Sequence, residues 1–472
     1  MRALLISTYD LGHQPFGLAS PAAWLRREGL EVTCFDLSKE KIREAALVDA
    51  DLIAFHLPMH TATRLAAPVI RKARALNPAA RLCAYGLYAP LNGEWLESLG
   101  VDDILGGEFE ADLAAIGRRI AQGTSAANPS NPSNSANPSN LSNPPRVPRL
   151  HFIQPDRSGL LPLTKYATVH LGDGTRRVAG YTEASRGCRH LCRHCPVVPV
   201  YNGQFRIVQH DAVVADIDAQ VAAGAEHMTF GDPDFFNGPT HAMRIVEALH
   251  SRHPKLSYDV TIKVEHLLAH RQLLPMLRET GCLFITSAVE SLDDQVLTIL
   301  LKGHTKRDFV EVVSVCRDVG LNLSPTFVAF HPWMSLDGYC ELLSSIDDLN
   351  LVEHVAPIQL AIRLLVPSGS RLLELDAVRD LVGEFDATTL TYRWSHADPR
   401  VDALQRDVSA IVGRRLTSDR SETFAAIRAL AYERAGMCPP SRTSSTPATV
   451  VPYVDEPWYC CAEPNPEQLT LV

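Results

Sequence analysis

The stretch SRGCRHLCRHCPVVPVY, residues 185–201, sets three cysteines (Cys188, Cys192 and Cys195) at C-x3-C-x2-C spacing after a strand-like run, AGYTEASRG. With 11 cysteines in 472 residues, this spacing is expected by chance roughly 0.006 times per chain. Thiolates this close together are soft ligands suited to zinc or to an iron–sulfur cluster. A closed zinc site wants four ligands, so zinc would need His190 or His194 to complete the set.

Downstream of this motif, strand-like runs recur: HMTFGDPDF, LSYDVTIK, CLFITSAVES, NLSPTFVAF and IQLAIRLLV. Helical patterns separate them at 211–223, 241–250, 273–280, 293–301, 306–319 and 336–349. Six such units over residues 149–375 predict a partial (β/α)6 barrel, with functional groups at the C-terminal ends of the strands. Upstream, residues 1–121 alternate short apolar runs (RALLIST, LEVTCFDL, ADLIAFHL, ARLCAYGL) with helical patterns. That alternation predicts an α/β fold with a doubly wound parallel sheet, whose ligand edge would hold the loops YDLGHQPFG and GLYAPLNG. Between the two lies 122–148, an Asn-Pro-Ser repeat almost without apolar residues, which reads as a disordered linker. Residues 376–437 read as mostly helical, and 438–472 as an extended, cysteine-containing tail.

Composition narrows the function. The net charge of −9 gives no basic footprint for nucleic acid or an anionic membrane surface. No apolar run reaches the roughly 18 residues that span a bilayer. The first residues, MRALLISTYDLG, are too short an apolar run for a secretory signal, so a cytoplasmic protein is expected. In a reducing compartment, clustered cysteines point to metal or redox chemistry. The isolated Cys34, Cys83, Cys282, Cys316 and Cys340 read as small buried hydrophobes.

The three-cysteine motif after a first barrel strand resembles the signature of the radical S-adenosylmethionine (SAM) superfamily. The resemblance implies a 4Fe-4S cluster with Cys188, Cys192 and Cys195 on three irons and SAM on the fourth. Reductive cleavage of the sulfonium would then release a deoxyadenosyl radical inside a barrel that excludes solvent. One departure is His194, where the family carries a carbocyclic aromatic packed near the adenine. Other motifs follow in family order. FGDPDFFNG occupies the place of the segment that holds the SAM amino group, making Asp232 and Asp234 candidate acceptors, although Asp-Pro-Asp also suits a plain turn. AVESLDDQVLTILLKGHT resembles the family's Glu-Ser segment, which implies Glu290 and Ser291 near the ribose or methionine end of SAM. Ser291 would equally serve as a helix N-cap. Lys263 and Glu265 face the same mouth, the VPSGS turn resembles segments near the adenine, and Arg363 would pair the SAM carboxylate or an internal acid.

The first domain resembles the cobalamin-binding-like domain of one radical SAM subgroup, through GGEFEADL at 106–113. The cobalt-ligating D-x-H-x-x-G is absent, because Asp10 and His13 are differently spaced, and this leaves cobalamin binding open. The ending, DEPWYCCAEPNPEQLTLV, resembles that of the CUAEP/CCAEP-tail radical SAM (seleno)proteins. Adjacent Cys460 and Cys461 strain a mutual disulfide and suit redox or nucleophilic work at the barrel mouth, against the plainer reading of inert thiols on a tail. The expected function is reductive SAM cleavage on a small-molecule or peptide substrate, with a donor such as flavodoxin or ferredoxin. Alternatives are a cobalamin-dependent methyltransferase and a non-enzymatic metal-binding protein. A methylthiotransferase would need a three-cysteine set in the first domain, which is lacking.

Overall fold

The structure is a computed structural model that describes residues 1–124, 147–415, 419–440 and 451–455. The linker repeat, Cys460 and Cys461 therefore lie outside the described residues, apart from the linker's first and last few positions.

The apolar runs of the first domain become five parallel strands: β1 (Arg2–Ser7), β2 (Glu31–Asp36), β3 (Leu52–His56), β4 (Arg81–Tyr85) and β5 (Asp103–Leu105). Their order is β2-β1-β3-β4-β5. Leu4, Leu5 and Ile6 are all buried because helices cover both faces, which is why the strand reads as a continuous apolar run rather than an alternating one. Leu5 packs with Leu18, Leu25 and Leu113 on one side, while Leu4 and Ile6 pack with Leu65 and Ile70 on the other. The chain reverses direction across the sheet between β1 and β3, the usual ligand edge of such folds.

The second unit contributes β6 (Thr168–His170), β7 (Arg176–Thr182), β8 (Ser185–Gly187), β9 (Phe205–Ile207), β10 (His227–Phe230), β11 (Ser257–Thr261), β12 (Cys282–Glu290) and β13 (Asn322–Phe327). It is completed by β14 (Val382–Asp386), β15 (Thr391–Trp394) and β16 (Tyr453–Val454). Its main sheet runs β13-β12-β11-β10-β7-β6-β16, with β7 and β10 to β13 parallel. The helices Pro239–Arg252, Lys306–Val319 and Leu336–Asp348 close one large core against it. Lys306–Val319 carries a capping box from Thr305 and Asp308 and stops at Gly320, whose φ of 77° suits a glycine. Cys282, Cys316 and Cys340 are buried in this core, and Cys34 and Cys83 in the first domain.

One expectation changes. The sixth strand-like run shrinks to one parallel bridge, Phe330 to Arg363, preceded by a 3-10 turn at Pro357–Leu360. There the Gln359 side chain, not a strand backbone, accepts the N–H of Phe327. The region after 376 is mostly helical, as expected, with an antiparallel hairpin of β14 and β15 before the helices Pro399–Arg414 and Arg420–Ala435. The hairpin's aromatic and β-branched residues suit a paired ribbon better than a helix. No helix among the described residues is long and apolar enough to cross a membrane.

Candidate active site

Strand β8 ends at Gly187 and delivers Cys188 to the C-terminal side of the sheet. Gly187 has a φ of 75°, and a Cβ there would lie 2.3 Å from the Tyr201 ring and 2.6 Å from the Gln204 carbonyl oxygen. Only glycine fits this turn without displacing the cysteine loop. The loop is then tied on three sides. Buried Asn237 accepts the Arg189 N–H (3.1 Å) and donates to the Gly187 carbonyl (3.3 Å). Arg193 donates its backbone N–H to the Leu300 carbonyl and a guanidinium N–H to that of Ile299. The Ser370 hydroxyl, in the VPSGS turn, donates to the Arg193 carbonyl.

The fourth tie comes from the first domain. Arg186 is buried and donates to both oxygens of Glu110 (2.7 and 3.0 Å) and to Glu183 (2.5 Å), with Glu108 at 3.5 Å. Phe16, Phe109 and Phe152 surround its guanidinium. The Gly-Glu segment thus acts across the domain boundary. Burial raises the Glu108 carboxyl to about 7, although Arg186 pulls the other way.

Cys188 and Cys192 are buried, Cys195 is half-buried, and none is in a disulfide. Burial pushes the Cys188 and Cys195 thiols up, and the neighbouring sulfurs add to the rise. Thiols held this way, close enough to feel one another, become stable thiolates only with a cation among them. Two buried ammoniums face them. Lys263 Nζ donates to Cys192 Sγ at 3.9 Å, and Lys302 influences Cys195 while pairing with Glu290 at 3.4 Å. The donor set therefore fits a cluster held by three thiolates. Cys188 also shares a second candidate set with His190 and Asp234, whose ligand atoms lie within 4.8 Å of one another.

The sequence-predicted residues divide into two groups. Glu290 and His194 come together: His194 Nε2 lies 3.2 Å from Glu290 Oε1. Burial alone would raise the Glu290 carboxyl, but Lys302 and His194 outweigh it and hold it at about 2. Glu290 also has a φ of 70° where the β12–β13 register shifts, a strained backbone at the point where the strand turns into the site. Asp234 is fully buried beside His190 and His266, the latter at 2.7 Å. Asp232 is turned inward, accepting from the Ser185 hydroxyl (2.5 Å) and the Ala184 N–H (2.9 Å), and burial raises it to about 7. Ser291 accepts the Asp293 N–H, and Asp293, not Ser291, is the N-cap of the following helix. Arg363 is spent on Asp402 (2.7 Å) and the Trp394 carbonyl, and its guanidinium stacks on the Trp394 ring. Sequence reading missed Lys302, Asn237 and Arg186. Lys302 sat in the quoted LKGHT segment, whereas Glu110, the two-oxygen partner of Arg186, lies 76 residues away.

Fold and site together define a partial barrel with three cysteine thiols gathered on one loop at its strand ends. Residues 182–334 match the family model of the Radical SAM superfamily. Over 195 residues the chain is 26% identical to the tRNA-2-methylthio-N(6)-dimethylallyladenosine synthase of Syntrophobacter fumaroxidans, a match covering 37% of this chain and 40% of that one. Its fold is similar to that of OxsB, a cobalamin-dependent S-adenosylmethionine radical enzyme solved with aqua-cobalamin bound (TM-score 0.64, 13% identity, 92% of this chain and 71% of that one). It is also similar to TsrM, the radical S-adenosylmethionine methyltransferase of Kitasatospora setae solved with tryptophan and a SAM analogue (TM-score 0.58, 16% identity, 74% and 71%). The family model thus covers residues 182–334, about a third of the chain, and the solved structures share its fold.

Proposed function

We propose that the chain cleaves SAM reductively at a 4Fe-4S cluster held by Cys188, Cys192 and Cys195. The observation that carries this reading is the set of three thiols, two buried and one half-buried, on a loop tied from four directions and faced by two buried ammoniums. Bound there, the cluster and SAM would supply one-electron cleavage of the sulfonium to a deoxyadenosyl radical. The protein's share is positional. Gly187, Asn237 and Arg186 hold the loop, Glu290 and His194 present a fixed carboxylate–imidazole pair to the SAM side, and burial keeps water from the site. Asp234 remains a candidate for the SAM amino group, since its carboxylate sits beside Cys188.

The substrate is proposed to be a small molecule or peptide, and the reductant a flavodoxin or ferredoxin. Cys460 and Cys461 are proposed to act at the barrel mouth. Support comes from β16, which pairs antiparallel with β6 and so runs in the direction of β7. Its sequel Asp455 donates its N–H to the Thr168 carbonyl and accepts from the Thr168 N–H and hydroxyl, on the side where β7 opens into the site.

A second reading is cobalamin-dependent methyl transfer, favoured by the sheet order of the first domain and by the two structural neighbours. In this arrangement the switch-point edge is closed: His13, Gln14 and His56 are buried, and a Cβ on Gly17 would lie 2.0 Å from the His56 ring. Gln14 is tied to Leu161 and Arg157, and His13 packs on Tyr181. Among the described residues these side chains fill that edge, so a corrin bound there would have to displace them.

The deciding experiment is anaerobic reconstitution with iron and sulfide, then dithionite and SAM, assayed for 5′-deoxyadenosine. Its formation, lost when Cys188, Cys192 and Cys195 are replaced by Ala, is the expected result. A chain that binds only zinc and forms none would overturn the proposal. Stoichiometric uptake of added cobalamin would move the case to the second reading.

A further inference from the structure

We infer that Lys263 is a positioning residue that sets the reduction potential of the cluster through its charge and its hydrogen bond to Cys192. The inference rests on the cluster assignment proposed above. Lys263 follows β11 and is buried, with Nζ 3.9 Å from Cys192 Sγ. In the loaded protein, that thiol sulfur stands for a cluster-bound thiolate.

Two ammoniums lie near the sulfurs, but their counter-charges differ. Lys302 is matched by Glu290, an almost fully buried carboxylate 3.4 Å away that His194 also fixes. Glu265, the acid beside Lys263, lies at 3.6 Å and its side chain is 45% exposed, so water screens it. His304 lies near both ammoniums, with both ring nitrogens buried and unpaired. Burial, with the two cations beside it, lowers its pKa to about 4, so it adds no third charge near neutrality. The unbalanced cation at the sulfurs is therefore Lys263.

Taking up one electron from the reductant adds one negative charge to the site. A buried cation with an N–H aimed at a ligand sulfur stabilises that reduced state more than the oxidised one. Neighbours that orient or polarise a ligand are a recognised lever on a metal centre's potential. The need is specific to this reaction, since a sulfonium is hard to reduce while the donor must still be able to load the cluster.

The test is an EPR-monitored redox titration of the full-length, anaerobically reconstituted chain without SAM, which keeps SAM binding out of the readout. Wild type is compared with Lys263→Met, Lys263→Gln and Lys263→Arg at matched iron content. Lys263→Met should titrate at a more negative potential, with the reduced-to-oxidised ratio at fixed potential falling about tenfold, which is 59 mV for a one-electron couple. Lys263→Gln, which keeps donors and loses charge, should fall between, and Lys263→Arg should stay near wild type. Identical midpoints in all four proteins would overturn the inference while leaving the cluster assignment standing. Should Lys263→Met fail to take up iron, Gln against Arg decides in the same way. A wild-type chain that takes up no cluster overturns the proposed function, and this inference with it.

Discussion

Replacing Arg186 by Met removes the guanidinium that sits among three carboxylates, those of buried Glu108 and Glu110 and half-buried Glu183, and its cost follows from the geometry. Glu108 and Glu110 belong to the first domain and Glu183 to the second, so the substitution leaves acidic groups stranded at the domain boundary. Breaking a buried ion pair by deleting one partner costs about 3–5 kcal/mol, because the remaining charge is neither paired nor hydrated. For units of this size that is a fall in Tm of roughly 10 °C. The pH dependence has a defined sign. Glu108 is raised to about 7 by burial, so between its unfolded value of 4.5 and 7 the folded chain holds more protons than the unfolded one. Its burial therefore lowers stability as pH rises through that window. Glu183 is raised for the same reason, and Arg186 opposes both shifts. Without Arg186 the window extends upward, so the deficit of the variant should be larger at pH 8 than at pH 6. Glu108→Gln is the control: a carboxyl raised that far is already partly protonated near neutrality, and its replacement should cost under about 1 kcal/mol. Chemical denaturation and thermal melts at the two pH values measure all of this. A loss below about 1 kcal/mol in Arg186→Met, or a deficit greater at pH 6, would refute the reasoning.

Gly187→Ala should lower iron bound per chain after reconstitution, since the left-handed φ costs about 1–3 kcal/mol before the clash with Tyr201 is counted; full iron content would show that the loop tolerates a Cβ. Arg363→Met should destabilise by about 1–3 kcal/mol through the lost Asp402 and Trp394 contacts, with SAM cleavage per cluster unchanged. A selective rise in the KM for SAM would return Arg363 to the SAM site. Replacing Cys460 and Cys461 by Ala should leave iron content intact while substrate turnover falls, read as iron per chain against product formed. Loss of iron would make the tail a ligand.

What the sequence determined alone was whatever depends on near neighbours. The C-x3-C-x2-C spacing is set by covalent reach within eight residues, so the metal-site reading needed no fold. Continuous apolar runs such as LLI at 4–6 reflect strands buried on both faces, which made the parallel sheets legible. Tertiary structure decided which polar side chains remain available for chemistry. Asp232, Asp234 and Arg363 are alike as motif residues, yet Ser185 takes the first, two imidazoles flank the second and Asp402 holds the third. Lys263 meets Cys192 across 71 residues, and Arg186 meets Glu110 across 76. Burial is the physical reason. A charge taken out of water must find a partner, and which partner is in reach depends on how distant strands and helices pack, which no local pattern encodes.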